Sequence, residues 1–415
     1  MKIGIKATQI VEGGGLKHLD RFLECFPENE DSRIVVFLSD RQRNFDLPDR
    51  DDVTYRYSRW AGEGTLRRIF WEQVSLRHHL RRENIDVLFE PGNFGMISKR
   101  IPRVVLVHSL APFSRDFIAG EPLLSRLRLH LLRIMTKLST RKAKGVIHLT
   151  EFARSYVSDD LQLGAVPQRI VYMGIDREPG RIINRSDLDQ RFNVTGKLIF
   201  SCSHIYRYKN ILELIKAFRL LRDRLDEPLT LVLAGEQYDK NYTEEIRAYI
   251  EDNSLEANVR LAGSLCSVTV QSLYAACDLF VFPSQLESAS LILLEAMQMG
   301  APIAASDTSL CREVLEDSAV YFDPKNPQSI YETMARVLED GNLCSVLRSA
   351  SRSRAESFSW KKTAEETYRF ICEVADLSES CSHSAEADQE HEQTKAYVTI
   401  PTEGLHLRNR VGNRR

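Results

Sequence analysis

The stretch "DLFVFPSQLESASLILLEAMQMGAP", Asp278 to Pro302, decides the fold class. "DLFVF" is a short apolar run of the kind that forms a strand buried on both faces. Pro283 and Ser284 end it, "QLESAS" is a polar loop, and "LILLEAMQM" reads as a buried helix until Gly300 stops it. Ser290 sits where an N-cap belongs, its hydroxyl able to accept from an unpaired first-turn amide. Glu287 then lies in the loop at the strand's C-terminal end, and Glu295 just over one turn into the helix. A helix start carries free N–H groups and the positive end of a dipole, both suited to phosphate. The segment can thus hold a nucleotide's phosphates between two carboxylates that accept hydroxyl hydrogen bonds. It can equally be a buried helix with incidental glutamates, and the spacing alone does not choose.

The same strand-to-helix alternation runs outward in both directions, which implies βαβ units and parallel sheets. The first series places strands at Lys2–Ile5, Arg33–Leu38, Val87–Phe89, Val104–His108 and Gly145–Leu149, with helices over Leu16–Phe26 and from Leu66 to about Arg82. The second places strands at 198–203, 229–235, 259–263, 278–284, 302–306 and 319–323. The polar, interrupted stretch 176–196 between them reads as a linker. The expected architecture is therefore α/β, two tandem Rossmann-like, doubly wound parallel-sheet domains facing a central cleft. Their bounds fall at 1–178 and 197–360, with a linker at 179–196. A final helix over 361–376 returns to the first domain, and a polar tail over 378–415 is expected to be disordered.

Composition narrows the function classes. A length of 415 residues with 27% charged and 43% hydrophobic side chains is that of a soluble protein of two or three domains. A net charge of -2 offers no global attraction for nucleic acid, so any basic function must be local. Eight cysteines are scattered without a C-x-x-C pair and read as reduced packing residues. The opening "MKIGIKATQI" goes straight into a strand pattern, and no apolar stretch approaches the ~20 residues that span a bilayer. A cytoplasmic location is expected.

Three further stretches carry chemistry. "LIFSCSHIYRYKNILELIKAF" (198–218) puts His204, Arg207 and Lys209 at a strand's C-terminal end, where cations suit a diphosphate; a solvated basic loop is the plain alternative. "ATQIVEGGGLKHLDRFLECF" (7–26) separates strand from helix by Gly13–Gly15, where bare backbone can approach a ligand or simply turn tightly. "RVVLVHSLAPFS" (103–114) ends an apolar strand on His108, a position open to a structural or a functional role.

Taken in order, these stretches resemble the retaining nucleotide-sugar glycosyltransferases of the GT-B class, family 4. The resemblance covers most of residues 1–376 and is strongest over 278–324, a strand–E-x7-E–helix–strand pattern; 69–93 and 146–157 also look like first-domain sequence of that family. It implies transfer of a sugar from a UDP- or GDP-sugar to a saccharide or lipid-linked acceptor with retention, as in polysaccharide synthesis, with no cofactor and no metal. By that resemblance Glu287 approaches the donor sugar, Glu295 bonds the ribose, and the amides at Ala289, Ser290 and Leu291 face sugar and diphosphate. Lys209 matches the family's diphosphate lysine, while His204 stands where an arginine is usual and Arg207 is the candidate replacement. His108 matches the histidine beside the transferred sugar, and Gly14 and Gly15 the glycine turn near the phosphates. Ser288, Ser290 and Ile292 depart from the usual E-G-x-G-L-P loop, which implies a narrower pocket. Two alternatives on the same fold are a non-catalytic nucleotide-sugar-binding module and a phosphorylase or epimerase.

Pro122 to Lys144 carries seven Lys or Arg and no acid, interleaved with leucines. Such a helix suits an anionic membrane surface or an acidic acceptor, or else packs its apolar side on the sheet like any other.

Overall fold

In this computed structural model, residues 1–10, 13–27, 32–98, 100–176 and 180–377 are described. The expected tail, Cys381 and part of the expected linker lie outside them. Seven strands form the first sheet: β1 (Lys2–Lys6), β2 (Arg33–Ser39), β3 (Val53–Ser58), β4 (Val87–Pro91), β5 (Arg103–Val107), β6 (Gly145–His148) and β7 (Gln168–Ile170). Six form the second: β8 (Lys197–Cys202), β9 (Leu229–Ala234), β10 (Val259–Gly263), β11 (Leu279–Phe282), β12 (Ile303–Ser306) and β13 (Ala319–Phe322). Their orders are β3-β2-β1-β4-β5-β6-β7 and β10-β9-β8-β11-β12-β13, and each pairing is parallel. Central strands such as β9 and β11 are buried along their whole length, as a sheet covered by helices on both faces requires. The strand reading missed β3 and β7, which are the two edges and carry polar residues.

Several expectations need correction. Gly13–Gly15 do not form a turn ahead of a helix; they are the first turn of the helix Gly13–Glu24. The expected linker contains a helix, Arg185–Phe192, capped by Asn184 and anchored through buried Leu188 and Phe192. The long helix after β3 exists, but Trp71–Ser75 form a π-turn within it. There Glu72 is fully buried, with Thr8 Oγ1 at 2.6 Å and Lys6 Nζ at 3.3 Å. Cys266 is exposed, not packed; Cys277 and Cys311 are buried, and the described cysteines are free thiols.

The basic helix, Leu123–Arg141, packs the opposite way from an ordinary sheet-covering helix. Its buried residues are Met135, Thr136, Ser139 and Thr140, and the two threonine hydroxyls are satisfied by carbonyls one turn back, at 2.7 and 2.8 Å. Leu124, Leu127, Leu131, Ile134 and Leu138 are all at least 42% exposed. The 3–4 spacing of these residues makes one continuous stripe.

Helical residues 360–377 lie against the first domain. Arg169 pairs with Glu373 at 2.6 Å, and Phe26 meets Tyr368 edge-on at 5.0 Å. Where this segment returns, it crosses the strand-like passage that leaves the first domain. A Cβ on Gly174 would stand 2.1 Å from the Trp360 amide nitrogen, so only glycine fits the crossing. Gly174→Ala is expected to destabilise by about 1–3 kcal/mol in urea unfolding. Gly341→Ala, with nothing within 4 Å of the added methyl and at the start of the helix Gly341–Ala355, is expected to raise the midpoint slightly, a gain of about 0.4–1 kcal/mol.

Candidate functional site

In a doubly wound sheet the strand order reverses once, and the crevice beyond the strands' C-terminal ends at that point receives ligands. Here the reversals fall at β1/β4 and at β8/β11. Loops from the two domains meet there around a cavity of about 480 Å³. It is bordered by Lys17 and His108 from the first domain and by His204, Glu287, Ser290 and Glu295 from the second. Ala289, Leu291 and Ile292 also line it.

The quoted segment folds as its residues dictate. Ser290 is the N-cap of the helix Leu291–Gln298, its hydroxyl accepting from the Leu293 amide at 3.4 Å. The first amides of that helix have no intrahelical partner and border the cavity. Glu287 is held by the buried ammonium of Lys209 and by Ser284 Oγ at 2.9 Å. Glu295 Oε1 accepts from Lys17 Nζ at 2.7 Å, a bond across the cleft. Lys17 also lies 3.7 Å from Asp176, which Arg21 Nε approaches at 3.1 Å. Lys17 and Asp176 escaped the sequence reading; the signal was a lysine two residues beyond the glycines, on the face that the helix turns to the cleft.

His108 ends β5. Its backbone amide and that of Ser109 donate to Asn93 Oδ1 at 3.0 and 2.6 Å. Its Nε2 is buried without a hydrogen-bond partner among the described residues, an atom that a ligand hydroxyl can satisfy. Burial lowers its pKa below the usual imidazole value, so the ring is neutral at pH 7. His18, buried nearby, is pushed down to about 3, first by burial and then by His108. At the other end, His204 Nδ1 accepts from the Glu236 amide at 3.2 Å, which puts the neutral ring's proton on Nε2.

Not every candidate converges. Arg207 points its guanidinium at Glu245, at 2.8 Å, and over the ring of Tyr242 at 4.7 Å. It borders a different hollow and supplies no charge to this cavity. Gly15 is likewise absent from its lining, while the surroundings of Gly14 lie outside what the structure describes. Ser288 does not narrow the pocket; its hydroxyl bonds the His108 carbonyl, and its own carbonyl accepts from Thr150 Oγ1 at 2.9 Å. Of the three departures in the loop, only Ser290 and Ile292 reach the cavity.

The buried histidines set an acid limit. A group whose folded pKa is depressed contributes stability above its unfolded value and loses it as pH falls toward the folded one. For His18 the window runs from 6.5 down to about 3, and for His148 to about 4. Melting temperature should therefore drop as pH falls below 6.5, and less steeply in His18→Phe; identical slopes in both proteins would remove this assignment.

Residues 184–354 match the family model for glycosyl transferases group 1, and residues 13–179 that for Glycosyltransferase Family 4. The serotype-specific mannosyltransferase WbdA of Escherichia coli is 27% identical over 268 residues, which is 63% of this chain and 32% of that protein. The match thus spans only 32% of that relative's length. Sucrose-phosphate synthase of Thermosynechococcus elongatus superposes with a TM-score of 0.69 at 15% identity, over 91% of this chain and 100% of the other. Anabaena HepE, solved with UDP and glucose, gives 0.68 at 17% identity, over 90% and 99%. These structural likenesses show the fold, the GT-B arrangement of two facing Rossmann-like domains.

Proposed function

The chain belongs to the family 4, group 1 glycosyltransferases, and we propose that it moves a hexose from a UDP- or GDP-sugar to a saccharide or lipid-linked saccharide with retention of configuration. The observation that carries this reading is the convergence of Glu287, Glu295, His204, a helix start and the orphaned His108 Nε2 on one interdomain cavity, with Lys209 buried behind Glu287 as its ion-pair partner. A hexose diphosphate needs those groups: amides and cations for the phosphates, carboxylates for hydroxyls.

In the proposed step the bond from the sugar's anomeric carbon to the diphosphate breaks, and a bond to the acceptor oxygen forms on the same face. The acceptor's proton passes to the departing diphosphate oxygen. Lys209, the first amides of the helix Leu291–Gln298 and His204 Nε2–H stabilise the charge that develops there. Glu287 and His108 orient the sugar, and Glu295 exchanges Lys17 for the ribose hydroxyls. The reading assigns no step to a metal. Relatives named as mannosyltransferases and a neighbour solved with UDP make mannosyl and glucosyl donors the first to test.

A panel of UDP-, GDP-, ADP- and dTDP-sugars should contain at least one that raises the melting temperature, by the equivalent of about 2.7 kcal/mol at a hundred times its Kd. Lys209→Ala or Glu287→Ala should then cut transfer or slow donor hydrolysis about 10²–10³-fold. Binding without turnover by the wild-type chain would turn the reading to a binding module.

The acceptor side is proposed to lie at the cytoplasmic membrane face. Among the described residues no helix is long and apolar enough to cross a membrane. The outward leucine stripe of Leu123–Arg141 is flanked by Arg126, Arg128 and Lys137, while Arg133 is paired with Asp160. That charge repels a second copy and favours anionic lipid. The protein should sediment with phosphatidylglycerol vesicles at low salt and detach as salt rises. Leu127→Glu with Leu131→Glu should abolish sedimentation, and failure of the wild type to sediment discards the membrane.

A further inference from the structure

A second interdomain hollow, of about 470 Å³, lies on the far side of the Glu287 loop from the donor cavity. Phe117, Phe152 and Tyr156 of the first domain and Tyr206 and Tyr208 of the second wall it. We propose that this aromatic hollow is a subsite for a neutral oligosaccharide, holding the acceptor glycan against the loop that carries Glu287. The inference rests on the transferase reading above.

Position is the first argument. A smaller hollow of about 210 Å³ joins the two cavities. It shares Phe117, Tyr208 and Leu286 with the aromatic one, and His108, Glu287 and Ala289 with the donor cavity. A chain of sugars lying in the aromatic hollow therefore has its end beside the carboxylate assigned to the donor sugar.

Chemistry is the second. A pyranose has an apolar C–H face and a rim of hydroxyls, so it binds best to flat rings bordered by mixed donors and acceptors. Phe117 meets Tyr208 edge-on at 5.2 Å across the domain boundary, and Tyr206 is stacked between Tyr208 and Tyr238, 5.6 Å from each, so that these rings form a fixed wall. Phe152 and Tyr156 stand opposite, 5.5 Å apart. If these rings served only to seal the interface they would be covered, yet Tyr156 remains 36% exposed.

Charge decides the ligand class. Arg207 is paired with Glu245, and the remaining cation of the hollow, Lys325, stands against Glu121 and Asp239, so there is no excess of positive charge. A phosphate head group therefore gains nothing there over a neutral glycan, while hydroxyls find both donors and acceptors. This also gives Arg207 a place: it borders the acceptor side, with its guanidinium fixed by Glu245 at 2.8 Å.

The test is saturation-transfer NMR on the full chain with three neutral trisaccharides: mannotriose, maltotriose and chitotriose. At least one should receive saturation on its ring C–H protons. Tyr156→Ala, at a half-exposed helix position, and Phe117→Ala, each checked for folding by circular dichroism, should weaken its binding about tenfold. Donor hydrolysis by the wild type is measured alongside. Hydrolysis present, with no trisaccharide bound or with affinity unmoved in both variants, overturns the subsite alone. Neither binding nor hydrolysis of any nucleotide sugar by the wild type overturns the transferase reading and the subsite with it.

Discussion

The handedness of the crossover between parallel strands is the constraint on which this molecule depends. Right-handed connections leave helices on both faces of a sheet only if the winding direction reverses once. At that reversal neighbouring loops diverge to opposite faces and leave a crevice. Each domain has one such point, β1/β4 and β8/β11, and the loops that leave these strands carry nearly all the chemistry. The remaining requirement is to hold the two crevices face to face. Glu313 does so by capping the helix Glu151–Leu161 of the other domain, its oxygens accepting from the amides of Glu151 and Phe152 at 2.6 and 2.8 Å. A carboxylate at a helix's positive end is a favourable contact even where water reaches it. Thr150, Ser288 and the His108 carbonyl add a second strap beside it.

Inside the cleft, each carboxylate of the E-x7-E pair has a lysine. Glu287 has Lys209 from its own domain, and Glu295 has Lys17 from the opposite one. A buried lysine without a counter-ion would carry a desolvation cost, which the pairing with Glu287 offsets while fixing the side chain in place. The two pairs differ in what separating them does. Loss of Lys209–Glu287 rearranges one domain, whereas loss of Lys17–Glu295 releases a contact between domains.

What was legible in the sequence follows how strongly each feature is forced by local chemistry. All six strands of the second sheet stood out because each is an apolar run bounded by turn residues, with "DLFVFPS" and "LTLVLAG" as the clearest. The edges β3 and β7 did not, since an edge strand tolerates the polar residues of "VTYRYS" and "QRI". The helix over 185–192 hid in a polar stretch because only Leu188 and Phe192 anchor it. At the site, Glu287, Glu295, His108 and Lys209 were readable from their places at strand ends and at a helix start. The destination of a long flexible side chain was not: Arg207 turned to Glu245, and Lys17 reached across the cleft. Nor does the sequence of Leu123–Arg141 tell which face lies inward; Met135 and the small hydroxyl residues Thr136, Ser139 and Thr140 took that side, not the leucines.

The crossing of Gly174 and Trp360 bears on motion as well as on packing. The main chain passes out of the first domain at one and back into it at the other, and the two passages touch. They are fastened at more than that one place: Thr363 Oγ1 donates to the Tyr172 carbonyl at 2.8 Å, and Tyr172 meets Phe358 edge-on at 5.9 Å. Any movement of one domain against the other must carry this seam with it, and with it Met173 in the wall of the donor cavity.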